Sequence, residues 1–373
     1  VEFLSERGAL AESVAWAARV LPARSPVPVL GGLLLDASDG RLRVSGLDFE
    51  ASAAVEAEAA TVRPGRVLVM GRRLLDICKV LPDGPVRCAV EGSRFTVTAS
   101  DARFGLSVLP LDDYPALPPL PELRGAVDAG EFAAAVADVA VAAGRDDTLP
   151  ALTGIRLRLD GSTMTLAASD RYRYAVRTLP WKAADPEVAA DVLVSARRLT
   201  EIARTLARSG PVGVALDTGS VGFEHAGART TVRLLDGGLP SHDTLFALAD
   251  PAVAVTDRAA LVEAVRRVSV VADGGSPLQL TFTGGPDASV LLQAGYEDDV
   301  ASQRLPATLE GADGMTVAFN PAYLMDALSS FEEPTIRLSL MGAGRRAMVT
   351  AGEDTPDTAA HRHLLMSVKQ SVL

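Results

Sequence analysis

The sequence predicts an α+β fold of three repeated domains, helices on one face and antiparallel sheets on the other. The first observation is an internal repeat. A helix-plus-strand block beginning Arg72-Arg73-Leu74-Leu75-Asp76-Ile77 returns as Arg197-Arg198-Leu199-Thr200-Glu201-Ile202 and again from Pro321 to Leu340, at a spacing that identifies whole repeated units. The second is hydrophobic period: each copy opens on a helical pattern and continues in alternating strands. The third is length, since 373 residues divide into three mid-sized domains, each able to bury its own core. The domains are expected at 1–120, 121–249 and 250–373, with boundaries where Pro and acidic residues cluster near Pro118 to Glu122 and near Ala249 to Pro251.

The opening helices are expected at Ala9 to Leu21, Phe132 to Ala143 and Ala259 to Ala272. The strands after them pair Leu33 to Asp36 with Leu42 to Ser45, Ile155 to Leu159 with Met164 to Ala168, and Leu278 to Phe282 with Val290 to Gln293. The second helix of each copy carries one apolar stripe: Leu74, Leu75, Cys78 and Leu81, then Leu199, Ile202, Ala203 and Leu206, then Leu324, Ala327, Leu328 and Phe331. Such stripes pack a helix onto a sheet.

Composition excludes several classes. With 48% hydrophobic and 22% charged residues the chain is globular, and no apolar run reaches the roughly 20 residues of a membrane span. It has no charged-then-apolar leader, so a cytoplasmic protein is expected. The two cysteines, Cys78 and Cys88, are expected to be buried and reduced. A net charge of -11 argues against nucleic acid on average, but charge is segregated by element. The six repeat helices hold 14 basic and 8 acidic residues, leaving the acids to strands and loops. Arg19, Arg24, Arg72, Arg73, Lys79, Arg197, Arg198, Arg204, Arg208, Arg266 and Arg267 all lie on helices. With the helices facing one way, the molecule has a basic surface and an acidic back.

Catalytic readings are weak. Asp146, Asp147 and Asp170 suggest a metal-binding carboxylate set, and a metal-assisted hydrolase on a repeated fold is the alternative from another functional class. No His or further acid completes that motif, and acids are common in loops and helix ends. His361 and His363 sit two apart on one strand face, short of a zinc site. Gly342 and Gly344 lack the strand-to-helix setting of a phosphate cradle, and no Ser or Cys nucleophile motif is visible. No cofactor is expected.

The segments Val27-Pro28-Val29-Leu30-Gly31-Gly32, Asp76-Ile77-Cys78-Lys79-Val80-Leu81-Pro82, Leu109-Pro110-Leu111-Asp112-Asp113-Tyr114-Pro115, Leu152-Thr153-Gly154-Ile155 and Ser169-Asp170-Arg171-Tyr172-Arg173-Tyr174-Ala175-Val176 resemble the bacterial sliding clamp, the beta subunit of DNA polymerase III. The resemblance covers essentially the whole chain and is nearest to clamps of high-GC actinobacteria. It implies a non-catalytic processivity factor, a head-to-tail homodimer closed into a ring whose helices line the hole. The ring would contact double-stranded DNA without reading sequence through Arg24, Arg72, Arg73 and Arg197, since weak phosphate contacts let a duplex slide. Closure would use Phe104 and Leu106 on an edge strand of the first copy with Val270 and Val271 in the third. By pattern alone those four residues read as core.

The resemblance further implies a pocket that takes short linear peptides, with Gln and Leu or Phe anchors, from the polymerase III alpha subunit, the clamp loader and repair polymerases. The matching positions are Leu152, Ser169, Arg171, Tyr172, Arg173, Tyr174, Pro240, Thr244, Leu245, Leu364, Met366, Ser367, Val368 and Lys369. An aliphatic floor with Met366 as filler and Arg or Tyr groups at the rim suits such ligands; by residue pattern alone the region is a domain boundary. The chain departs from the family's pattern at Ser241, His242 and Asp243, at His363 where Tyr is usual, at Ser367 where Pro is usual, and at Lys369 where Arg is usual. Ser367 is expected to free a backbone donor and loosen a turn. Either the departures are drift, or this is a second clamp that tolerates a pocket-directed inhibitor, as an antibiotic producer would need.

Overall fold

The computed structural model describes residues 1–22, 27–206, 210–272, 276–296, 299–355 and 359–369. They form two compact units, one of Val1–Val127 with Gly210–Leu234, the other of Asp128–Ser209 with Leu235–Leu373.

In the first unit helices α1 (Arg7–Ala17) and α2 (Gly71–Val80) pack on an antiparallel sheet around Phe3, Leu10, Val14, Leu35, Val44, Leu74, Cys78 and Phe95. The sheet does not stop at the end of the first copy. Ala228–Arg233, from the second copy, pairs with Ala51–Glu58, Val232 lying opposite Ala51 and Ala228 opposite Val55. One ladder thus joins two copies, and backbone hydrogen bonds are satisfied where an edge would otherwise be open.

The second unit repeats this device. Helices α3 (Ala129–Ala140) and α4 (Ala196–Leu206) belong to the second copy. The short α5 (Asp243–Phe246) leads to α6 (Arg258–Val268) and α7 (Pro321–Ser329) of the third. The seam strand His361–Met366 pairs on one side with Arg346–Ala351 and on the other with Arg173–Pro180, Leu365 facing Arg173 and His361 facing Arg177. The third copy packs Leu261, Val265, Phe282, Leu292, Val317, Phe319, Leu324, Leu328 and Leu365 into one core. Capping residues fix the helix starts: Asp128 accepts from the Gly130 and Glu131 amides, Asp257 from Ala260, and Asn320 from Ala322 and Tyr323.

The expected strands all fall inside observed ones. The opening helices end earlier than expected: α1 gives way to a tight turn at Ala18–Val20, and α3 stops at Ala140. The apolar pattern outruns the helix because Val20, Leu21, Ala142 and Ala143 stay buried after the backbone leaves helical geometry. Both cysteines are free and buried, and burial pushes the Cys78 thiol up to about 11. Among the described residues no helix is long and apolar enough to cross a membrane.

The seam strand carries two buried histidines. Burial, opposed by a bond to the Val176 carbonyl, lowers His361 to about 4, and burial holds His363 well below the usual imidazole range. Nearby Asp138 is raised to about 6 by burial, with Arg177 opposing and Glu332 and Glu333 adding to the rise. Above pH 6.5 both histidines are neutral folded or unfolded. Below it the unfolded chain takes up protons that the folded seam refuses, so stability falls down to about pH 4 for His361. Asp138 acts the other way, taking a proton in the folded state from about pH 6 down to its ordinary 3.8. Urea midpoints should fall between pH 7.5 and 5, and less so in His361→Asn; an equal fall in both proteins would remove His361 from this role.

Candidate partner-binding site

The seam between the second and third copies gathers most of the residues that the sequence marks as a peptide pocket. The loop before Arg173–Pro180 is built by Asp170, whose Oδ1 accepts from the Tyr172 and Arg173 amides at 3.0 and 3.1 Å. Ser169 is buried and its hydroxyl donates to the Arg173 carbonyl at 2.8 Å. Between them Arg171 takes φ +83°, a left-handed conformation rare outside glycine. The Met366 amide donates to the Tyr172 carbonyl at 2.8 Å, tying the last strand to this loop.

The floor is more aromatic than expected. Tyr174, Val176, Leu193, Leu239, Phe246, Met348 and Leu364 form one buried cluster, with Leu152 and Leu245 half-buried against it. Tyr174 belongs to this floor and not to the rim: it is buried and donates its hydroxyl to the Pro240 carbonyl at 2.9 Å. Phe246 stands edge-on to it, ring centres 5.7 Å apart. His242, one of the departures from the family's pattern, also packs here, 5.8 Å from Phe246 and 6.2 Å from Tyr174. Burial therefore lowers its pKa. Arg346 fixes the covering segment by donating to the Thr244 and Leu245 carbonyls at 3.1 and 2.6 Å.

Arg173 is not a rim donor either. Its side chain is 5% exposed; Nε meets Asp170 Oδ2 at 2.9 Å and Nη1 meets Asp326 Oδ2 at 2.5 Å. The guanidinium also lies 4.3 Å from the Tyr323 ring centre, and a buried cation needs such partners. Tyr172, by contrast, is exposed and stacks on Tyr323 at 6.3 Å. Beside this pair lies a cavity of about 470 Å³ lined in part by Arg145, Asp146, Leu149, Leu152, Tyr323 and Asp326. The sequence reading missed Phe246, Tyr323 and Asp326. Tyr323 and Asp326 are three apart on α7, a spacing that places them on one face.

Among the departures Ser241, Asp243 and Lys369 are exposed. The Asp243 carboxylate is held below the usual range, first by the Ser241 hydroxyl and then by His242. Ser367 is buried, and it fastens the turn that it was expected to loosen. Its amide donates to the Arg345 carbonyl at 2.9 Å. Its hydroxyl accepts from the Arg345 amide at 2.9 Å and sits 2.7 Å from the Arg345 carbonyl and 3.0 Å from that of Gly342. The freed donor is thus used at once.

None of the candidate residues for DNA contact or ring closure is among those that line this cleft. Arg72 is exposed and donates to the Leu21 and Pro22 carbonyls at 3.4 and 3.3 Å. Arg73 and Arg197 are exposed, with no partner among the described residues. Arg24 and Arg208 lie outside the described residues. Several other helix cations are paired, Arg266 and Arg267 with Glu263 and Lys79 with Asp76. Phe104 and Leu106 are half-buried against the first core on the strand Ala102–Leu109. That strand is an edge for only part of its length: Val108 and Leu109 pair with Val69 and Leu68, while Ala102 to Ser107 pair with the strand Arg94–Ala99 alone among the described residues. Val270 is 82% exposed, whereas Val271 packs against the third core.

The carboxylates proposed for a hydrolase are occupied by structure. Asp146 accepts from the Thr148 amide and hydroxyl at 2.9 and 2.6 Å, and Asp170 is spent on its own loop and Arg173. Among the described residues no three His, Cys, Asp or Glu side chains are placed to hold a metal ion. His361 contacts the Val176 carbonyl and the Ser330 hydroxyl and packs on Phe331.

Because proline has neither the amide hydrogen nor the hydroxyl, Ser367→Pro should cost about 1–3 kcal/mol, read as a lowered urea midpoint. An unchanged midpoint would mean that the turn holds without these bonds.

Profiles of the DNA polymerase III beta subunit match along the chain in order: the N-terminal domain at residues 1–118, the central domain at 126–241 and the C-terminal domain at 245–367. The chain is 46% identical to the beta sliding clamp of Streptomyces coelicolor over 98% of both chains. It is 41% identical to the beta sliding clamp homolog GriR of Streptomyces muensis over 99% of both. Its fold is similar to that of the sliding clamp from Pseudomonas aeruginosa solved bound to griselimycin, with a TM-score of 0.92, 24% identity and 99% of each chain covered. The chain therefore belongs to the DNA polymerase III beta subunit family, the bacterial sliding clamps.

Proposed function

We propose that this chain is a DNA sliding clamp, a ring that encircles duplex DNA and tethers polymerase and other replication and repair proteins. The observation that carries this reading is the succession of N-terminal, central and C-terminal beta subunit domains along one chain. The family is a non-catalytic processivity factor, so the protein's work is to bind and hold. We read the three copies as domains 1–120, 121–249 and 250–373, and the protein as cytoplasmic.

Ring closure needs a head-to-tail contact between copies of the chain. On the first domain it would use the open stretch of Ala102 to Ser107 with Phe104 and Leu106. On the third it would use Val270 and Val271 beside the edge strand Asp299–Pro306, where Val300 is 72% exposed. Two open edges that pair with each other remove an aggregation hazard from both.

DNA would be held by topology and touched by Arg24, Arg72, Arg73 and Arg197. Replacing all four with alanine should weaken retention on nicked circular DNA equally for all sequences and reduce its salt dependence. Linear DNA should be lost from the unmodified protein too. Equal retention on linear and circular DNA would refute the ring.

Partner proteins, namely the polymerase III alpha subunit, the clamp loader and repair polymerases, would dock short peptides on the aromatic floor. Leu152, Tyr172, Leu245, Leu364, Met366 and Val368 would meet the anchors. Floor and rim divide the labour, so a change at the rim alters which ligand wins without removing the apolar contact. Asp243, Lys369 and the Ser367 turn make this a variant clamp, tolerant of a pocket-directed inhibitor. Calorimetry with one partner peptide and griselimycin tests it. A version carrying Ser367→Pro, Lys369→Arg and Asp243→Arg should gain about tenfold in inhibitor affinity relative to peptide, which takes only about 1.4 kcal/mol. No relative gain would make the departures drift and the protein an ordinary replicative clamp.

A further inference from the structure

The two seams are built alike, and only one is open. At the seam of the first and second copies Asp48 Oδ1 accepts from the Glu50 and Ala51 amides at 2.8 and 2.7 Å, as Asp170 does for Tyr172 and Arg173. The Arg233 amide donates to the Glu50 carbonyl at 2.8 Å, as Met366 does to Tyr172. The Leu234 amide donates to the Gly219 carbonyl at 2.9 Å, as Ser367 does to Arg345. The ladders then equate residues one by one. Ser52 faces Thr231 where Tyr174 faces Leu364, and Gly222 faces Thr231 where Met348 faces Leu364.

The floor of the first seam is therefore stripped of its bulk, with Ser52, Thr231 and Gly222 replacing Tyr174, Leu364 and Met348. The space is not left empty. The linker after the first copy crosses it, and a β-carbon placed on Gly222 would lie 2.6 Å from Leu120 Cδ1 and 3.2 Å from Pro121 Cδ. What remains is a hollow of about 300 Å³ under Leu117, Pro118, Pro119 and Leu120. Arg43 and Glu56, which pair with each other, and Arg229 give it polar walls.

We infer that the first seam is the counterpart of the partner cleft, permanently occupied by the chain's own Leu117–Pro121 linker with Leu120 as its anchor over Gly222. The inference rests on the reading of the second seam as the partner cleft. Its consequence is one partner site per chain, although the repeat builds two seams. The missing side chain at Gly222 makes room for Leu120, and the prolines hold the linker extended at small cost in chain entropy.

A size swap tests the fit. In Gly222→Met the added side chain should expel Leu120, and amide exchange across residues 111–124 should quicken about tenfold or more. In Gly222→Met with Leu120→Ala the space is shared again, and exchange should return to within about twofold of the unmodified rate. Calorimetry with a partner peptide should give one site per chain in the unmodified protein. Unchanged exchange in the single variant, no recovery in the double variant, or two peptides per chain would overturn the inference. Peptide binding lost together with the exchange pattern intact would sink the cleft reading, and with it the claim of a single partner site, while the linker's fit to Gly222 stood.

Discussion

Strand pairing across the copies is the constraint on which the rest depends. A clamp domain of about 120 residues has its own core, but its sheet would end in unpaired amides and carbonyls. Pairing Ala228–Arg233 with Ala51–Glu58, and His361–Met366 with Arg173–Pro180, satisfies those groups and welds the copies into continuous sheets. The weld also sets side-chain register. A slip of one residue would turn Tyr174 and Leu364 away from the cleft and bring Arg173 and Leu365 into it.

Charge is arranged around the same seam. Arg173 lies in a buried position that only partners make tolerable, and Asp170 and Asp326 come from a loop and a helix in different copies. The ion pairs therefore report that the two copies are docked, and the rigid Asp170 loop presents Tyr172 to solvent. Breaking one member would leave a buried charge unpaired, which costs more than the pair contributes. Ser367 adds neutral bonds within the third copy, to Arg345 and Gly342, that hold the end of the same strand.

Much of the architecture was legible in the sequence because repeat spacing and hydrophobic period are local properties. Arg72 and Arg197 at matching positions, and the stripes of Leu74 and Leu199, need no three-dimensional information. The cleft was legible only as a set of positions. Nothing local distinguishes Arg173, buried between two carboxylates, from the exposed Arg171 two residues earlier. His242 and Tyr174 are amphipathic, so their place in the floor follows from how the 235–251 linker folds back and not from their chemistry. The polar seam at Ser52 and Thr231 is invisible until the ladder pairs them with the second seam's residues.

Every side chain that forms the proposed partner cleft belongs to the unit of Asp128–Ser209 and Leu235–Leu373. The cleft is therefore complete within a single polypeptide, and nothing in it waits for a second chain to arrive. In the proposed function, recruitment and encirclement are therefore separable, because the cleft takes every side chain from one unit of one chain.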